Sequence, residues 1–288
     1  MKKPFINWDE LGDLRMPPRP AADKNGKGPK QGIGGWDGQA RFYNQVAKME
    51  AGYTLNQINC FDTSKEDTVL DVGCGPGRVT VPMAKRAKKV TSIDASPKML
   101  EFCRANAEAA GLTNVETRLL DWEDEESYQS LEKHDIVIAS RSVGMGDIHR
   151  LSNLAKKYAV IIIWCYGYPS IPMITGELFK GAEKEERPPM PQMMKDRRLG
   201  NNLMYNRIYD LGYNPNLNIV EDGFTKDYAS REEAYADLRK LREEIDETKI
   251  DVFRANVDKF LTENPDGTVT YLAKTKSIVL WWKPEIED

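Results

Sequence analysis

One short run constrains this chain more than any other: Val69-Leu70-Asp71-Val72-Gly73-Cys74-Gly75-Pro76-Gly77. An apolar stretch suited to a buried strand runs into three glycines spaced two apart, a turn whose backbone can take positive φ and let a ligand approach the main chain closely. Proline and glycine there stop the strand from continuing. Val79, Val81, Met83 and Ala84 then favour a helix, and Lys89-Val90-Thr91-Ser92-Ile93-Asp94 reads as a second strand. That completes a βαβ unit, so the chain must be α/β with parallel pairing.

The pattern continues beyond it. Ser96 followed by Pro97 is an N-cap and first-turn pair, opening a helix through Met99, Leu100 and Cys103 towards Gly111. A third strand is expected over 115–120, a fourth over 134–139 and a fifth over 158–165, with a helix over 148–157 between the last two. Near-continuous apolar strands separated by helices imply a sheet covered on both faces. The expected fold is α/β, a doubly wound, Rossmann-like, mostly parallel sheet. Strand-like runs at 217–220 and 277–282 add a C-terminal β-hairpin. Helical stripes at Tyr235, Leu238, Leu241 and Ile245, and at Phe253, Val257 and Leu261, add a helical cap. Residues 1–35, with five prolines and six glycines, read as a flexible N-terminal arm. Residues 36–288 then form one domain, with cap segments at 167–200 and 229–263.

The glycine turn also selects a ligand. A dinucleotide fingerprint starting at Gly73 needs glycine at position 78, where the chain has Arg78. Asp71, just before the loop, would repel a pyrophosphate but attract an ammonium group. Asp94 ends the second strand, where a carboxylate can accept from two ribose hydroxyls. Asp121 follows the third, where it can accept from an exocyclic amine such as that of adenine. A nucleoside with a cationic amino-acid tail fits this order better than a diphosphate.

On these residues the sequence resembles the class I S-adenosylmethionine-dependent methyltransferases. The likeness rests on the run from Val69 through Arg78, on Ile93-Asp94-Ala95-Ser96-Pro97-Lys98-Met99-Leu100 and on Leu119-Leu120-Asp121-Trp122, and it covers 67 to about 165. It implies that the cofactor is S-adenosyl-L-methionine, with the loop backing its methionyl part, Asp94 on the ribose and the third motif beside adenine. Met99 would pack on the adenine ring and Trp122 beside it, although core packing explains either residue as well. The expected cofactor-binding set is Asp71, Gly73, Cys74, Gly75, Gly77, Asp94, Ala95, Met99, Asp121, Trp122 and Ser140.

The acceptor side is less determined. Ser140-Arg141-Ser142-Val143 leaves the sheet at its carboxyl edge, where ligands bind in such folds. Arg141 offers a planar fork for a carboxylate or phosphate, against the alternative of a salt bridge. Tyr166, after the fifth strand, and the run Pro188-Pro189-Met190-Pro191-Gln192-Met193-Met194 are candidates for an apolar pocket. The same likeness implies that Trp36 and Phe42 close over the cofactor from the amino-terminal side, with ordinary helix packing as the alternative. Asp147 and His149 are possible bases, but helix capping explains Asp147 equally well, so no catalytic residue is assigned.

Composition removes several other classes. Lys plus Arg number 41 against 45 Asp plus Glu, a formal charge of −4, so no global field draws nucleic acid. Cys60, Cys74, Cys103 and Cys165 form no Cys-x-x-Cys pair, and only His134 and His149 could add imidazole, so no metal is expected. No apolar run approaches the roughly 20 residues of a membrane span, and Met1-Lys2-Lys3-Pro4 leads into no signal segment. The expected location is cytoplasmic. A small-molecule substrate is expected, with a protein or RNA acceptor, or a non-catalytic cofactor-binding regulator, as alternatives. Lys24, Lys27 and Lys30 argue mildly for a polyanion. Against nucleic acid, the chain has no Asn/Asp-Pro-Pro-aromatic tetrapeptide after the fourth strand.

Overall fold

A computed structural model of the chain describes residues 6–13, 32–184, 200–241 and 245–285. The arm's lysines and the run 188–194 lie outside the described residues. In chain order the main elements are α1 (Trp8–Asp13), α2 (Ala40–Ile58), β1 (Thr68–Val72), α3 (Thr80–Ala84), β2 (Lys89–Asp94), α4 (Pro97–Ala109), β3 (Val115–Leu119), α5 (Glu125–Gln129), β4 (His134–Ser140), α6 (Ile148–Leu154) and β5 (Ala155–Trp164). There follow α7 (Ile171–Phe179), α8 (Asn201–Asp210), β6 (Asn216–Tyr228), α9 (Arg231–Leu238), α10 (Ile250–Asp258), β7 (Leu261–Glu263) and β8 (Val269–Trp282).

The strands form one sheet in the order β3-β2-β1-β4-β5-β8-β6, with β7 also pairing β8. Pairing is parallel from β3 to β5 and antiparallel wherever β8 takes part. This is the doubly wound, mostly parallel fold with a C-terminal hairpin. Chain order reverses between β1 and β4, and in open α/β sheets ligands bind outside the strands' carboxyl ends at such a switch point.

Alternate side chains of the central strands feed two cores. Leu70, Val72, Val137, Ala139 and Ile161 belong to one, and Val69, Ile136, Ile138, Val160 and Ile162 to the other. Burial on both faces is why these strands read as unbroken apolar runs, each large side chain contributing roughly 1.5–3 kcal/mol. A third core joins the cap helices to the outer hairpin through Phe179, Phe224, Phe253 and Tyr271.

Some boundaries differ from expectation. The fifth strand starts at Ala155, and α6 stops at Leu154. The pairing of β4 with β5 shifts register between His134 and Ile136, so Lys156 and Lys157 occupy an irregular stretch where the apolar signal is absent. β6 and β8 run well past their apolar segments, paired from Asn216↔Trp281 to Tyr228↔Val269. Their outer halves carry Lys226, Asp227, Thr270 and Lys274, and backbone pairing holds them despite that polarity. The packed body also begins ahead of Trp36, because Gly34 N donates to Ala95 O at 2.8 Å.

Candidate functional site

The glycine turn rises from the tip of β1 with Gly73, Gly75 and Gly77 at φ 66°, 54° and 88°, values that only glycine takes without strain. Gly73 N and Cys74 N both donate to Ile93 O, fixing the loop to β2. A Cβ at Gly73 would lie 2.5 Å from Ser142 Cβ, and one at Gly77 would lie 2.9 Å from Cys103 Sγ. Those two glycines are needed for packing. At Gly75 the nearest atom to such a Cβ is Met99 Sδ, at 3.9 Å. The middle glycine therefore turns an open face outward, a cradle that a side chain would fill.

Carboxylates flank this cradle. Asp71 is buried beneath it and accepts from Thr80 Oγ1 at 2.7 Å. Burial pushes its carboxyl up to about 6, against the opposing pull of Thr80 and Arg78. Asp94 Oδ2 accepts from Gly75 N at 2.9 Å, and Oδ1 accepts from Ser96 N at 2.8 Å. Each oxygen keeps lone-pair capacity for a further donor. Burial raises the Asp94 carboxyl as well. Ser96 Oγ caps α4 by accepting from Met99 N and donates to Asp37 Oδ1, which also accepts from Lys98 N at 3.2 Å. That hydrogen bond from Ser96 holds the Asp37 carboxyl below its usual value. Ala95 contributes its carbonyl to Gly34, as above. Asp121, past β3, accepts from Glu123 N at 2.9 Å.

Met99 is buried, with its sulfur beside Gly75. Trp122 lies in the core with Leu120, Leu131 and Ile148, its ring edge-on to Tyr128. The structure thus brings Gly75, Asp94 and Met99 together and sets Trp122 into packing.

Beside the loop, at the tip of β4, four charged side chains meet. Glu50 of α2 accepts from Arg78 Nη1 at 3.0 Å and, on its two oxygens, from Arg141 Nη1 at 2.8 Å each. Arg141 Nη2 donates to Asp222 Oδ2 and Ser277 Oγ, both at 2.7 Å. Gln57 Nε2 bridges Glu50 and Asp222. Arg78 also donates to Gln57 Oε1 at 2.6 Å and to Ser140 Oγ. Glu50 and Asp222 have no exposed side-chain surface. Burial alone would raise the Glu50 carboxyl, but Arg141 and Arg78 bring it below its usual value. Asp222 goes the other way, raised by burial and by Glu50. Arg141 stacks on Trp164 with its guanidinium carbon 3.1 Å from the ring centroid, and its backbone sits at φ 53°.

Arg141's terminal nitrogens are thus engaged within the protein, while its buried Nε has no hydrogen-bond partner among the described residues. Tyr166 packs on Gly200, where a Cβ would come within 2.4 Å of its ring, and its N donates to Asn201 Oδ1. Asp147 caps α6 by accepting from Arg150 N and pairs with the Arg150 side chain at 3.3 Å. His149 lies with its ring 6.5 Å from that of Tyr213. Among the described residues no cluster of three or more metal-ligating side chains occurs, and no helix is long and apolar enough to cross a membrane.

Sequence reading missed Glu50, Asp222 and Asp37, and took Arg78 only as a missing glycine. One signal was available: Glu50, Thr54 and Gln57 share a buried face of α2 at helical spacing, and a polar stripe in an apolar setting needs partners.

A methyltransferase-domain family model matches residues 63–169. Over 256 residues the chain is 25% identical to a protein of unassigned function from Haemophilus influenzae, covering 86% of this chain and 88% of that one. It is 38% identical over 109 residues to a 23S rRNA (uracil(1939)-C(5))-methyltransferase from Klebsiella pneumoniae, which covers 36% of this chain and 25% of that enzyme. It is 39% identical over 77 residues to a probable cobalt-precorrin-6B C(15)-methyltransferase (decarboxylating) from Methanobrevibacter smithii, covering 26% of this chain and 40% of that one. The chain therefore spans less than half the length of either named enzyme.

Proposed function

We propose that residues 63–169, which match a methyltransferase-domain family model, form a class I, S-adenosylmethionine-dependent methyltransferase domain, and that the whole chain methylates a small molecule held between the tips of β4 and β5 and the cap. The observation that carries this reading is the bridge from Gly75 N to Asp94 beside the open face of Gly75, at the tips of β1 and β2 next to the switch point of the sheet. In this reading Asp94 accepts from the ribose hydroxyls, Met99 and the faces of Gly73, Cys74, Gly75, Gly77 and Ala95 pack on the adenosyl and methionyl parts, and Asp121 receives the adenine amine. Asp71 attracts the ammonium group. Ser140 and Trp122 border the pocket, and Arg141 and Tyr166 stand on the acceptor side.

S-adenosylmethionine supplies an electrophilic methyl group on a sulfonium. The protein's part is to hold the acceptor in line with it, and alignment of this kind is worth up to about 7–11 kcal/mol in favourable cases. Asp147 is committed to α6 and Arg150, which leaves His149 as the candidate base for an acceptor that must lose a proton. The described parts of the cap segments 167–200 and 229–263 flank the acceptor in this reading, and the enzyme works in the cytoplasm.

The local likeness to an rRNA methyltransferase favours a second reading, an RNA acceptor. Incubating the protein with donor labelled in the methyl group and with separated metabolite, RNA and protein fractions tests both. Label is expected in small molecules. Label confined to RNA or protein would replace that acceptor class, and ligand binding with no transfer would point to a regulator.

A further inference from the structure

The Arg78–Glu50–Arg141–Asp222 cluster is unusual in cost and in place. Burying ions is expensive, and apolar residues of similar volume often serve stability as well or better. Yet two guanidiniums and two carboxylates, formally neutral in sum, are packed at the edge of the glycine turn. Their charge reaches that turn: Arg78 acts on the carboxyl of Asp71 beneath it, and Arg141 and Arg78 feel each other. Two uncompensated guanidiniums here would oppose any positively charged ligand. Asp222 pairs with Arg141, and among the described residues Glu50 is the one carboxylate hydrogen-bonded to both guanidiniums.

We propose that Glu50 is a specificity-determining residue that makes the pocket tolerant of a cation: by pinning Arg78 and Arg141 on one carboxylate and cancelling one of their charges, it admits the sulfonium of S-adenosylmethionine. This rests on the donor-pocket reading above. It assigns Glu50 no contact with the reacting atoms, so Glu50 acts through its two arginines. The consequence separates charge from shape. S-adenosylmethionine and S-adenosylhomocysteine differ by the methyl group and one positive charge. A variant that merely loosens the pocket weakens both, whereas a variant that alters the local charge weakens one more than the other. One unscreened unit charge in a protein interior corresponds to an affinity change on the order of tenfold or more.

The test is calorimetric binding of both ligands to wild type, Glu50→Gln and Arg141→Gln, read as the ratio of the Kd for S-adenosylmethionine to that for S-adenosylhomocysteine. Glu50→Gln, which leaves a positive excess, is expected to raise the ratio about tenfold, and Arg141→Gln, which leaves a negative excess, to lower it by a similar factor. A folded Glu50→Gln protein with the wild-type ratio overturns the proposal, as do shifts in the same direction in both variants. If Glu50→Gln does not fold, Arg141→Gln decides alone. If neither folds, Asp222→Asn is read as Glu50→Gln would be. A wild-type protein that binds neither ligand refutes the donor-pocket reading itself, a result distinct from an unchanged ratio.

Discussion

The tips of β1 and β2 and the tip of β4 are both polar, but they spend their polarity differently. At β2 each Asp94 oxygen receives one backbone N–H and retains capacity for more. At β4 the carboxylate of Glu50 is filled by two guanidiniums and Gln57. Burial acts on both regions with opposite outcomes: Asp71 rises to about 6, while Glu50 falls below its usual value because arginines face it. A site short of partners is arranged for a ligand, and a site whose charges answer one another is arranged to hold its shape.

The contrast breaks most visibly at Arg141. Arg141→Ala leaves Asp222 buried without its arginine and Glu50 with Arg78 as its remaining cation, and a loss of about 3–5 kcal/mol in urea unfolding is expected. A loss under about 1 kcal/mol would mean that water relieves these charges, and the two regions would no longer differ. On the other side, Gly75→Val places a β-branched side chain at φ 54° and fills the open face. Backbone strain accounts for about 1–2 kcal/mol of stability, while affinity for S-adenosylhomocysteine should drop by about 100-fold, or roughly 2.7 kcal/mol. Retained affinity in the folded variant would show that the ligand does not use that face.

A smaller effect sharpens the comparison through pH. The Asp71 carboxyl lies above its ordinary value of 3.8, so folding favours its neutral form. That contribution is complete below pH 3.8 and is lost as pH rises through about 6. Asp71→Asn, always neutral, should therefore gain on wild type between pH 4 and pH 7.5, by roughly 1–3 kcal/mol in paired urea titrations. A gap that stays constant with pH would place Asp71 outside the buried class. The smallest change is expected for Asp37→Asn, which weakens an exposed contact to the start of α4. Stopped-flow release of S-adenosylhomocysteine should speed up by about threefold at most; a far larger change would make the 32–39 segment part of the site proper.

The same contrast explains what was legible in the sequence. The glycine turn, Asp94 and Ser96-Pro97 are local signals in which neighbours along the chain make the structure, and the parallel strands announce themselves through two-sided burial. The cluster at β4 joins Glu50 to Arg78 across 28 positions, to Arg141 across 91, and Arg141 to Asp222 across 81. No spacing rule links residues that meet only because α2, β4 and β6 converge. Arg141 was visible as a fork but not its occupants, and the polar halves of β6 and β8 were hidden because backbone pairing rather than side-chain burial extends them.

Calorimetric titration of S-adenosylhomocysteine into wild type and Asp94→Ala bears most directly on the claim that the Gly75–Asp94 bridge holds an adenosyl ligand. One-to-one binding to wild type is expected, weakened by about 10- to 100-fold in a folded Asp94→Ala protein through loss of the hydroxyl acceptors. Equal affinity in the two proteins, or binding of NAD in place of S-adenosylhomocysteine, would contradict it.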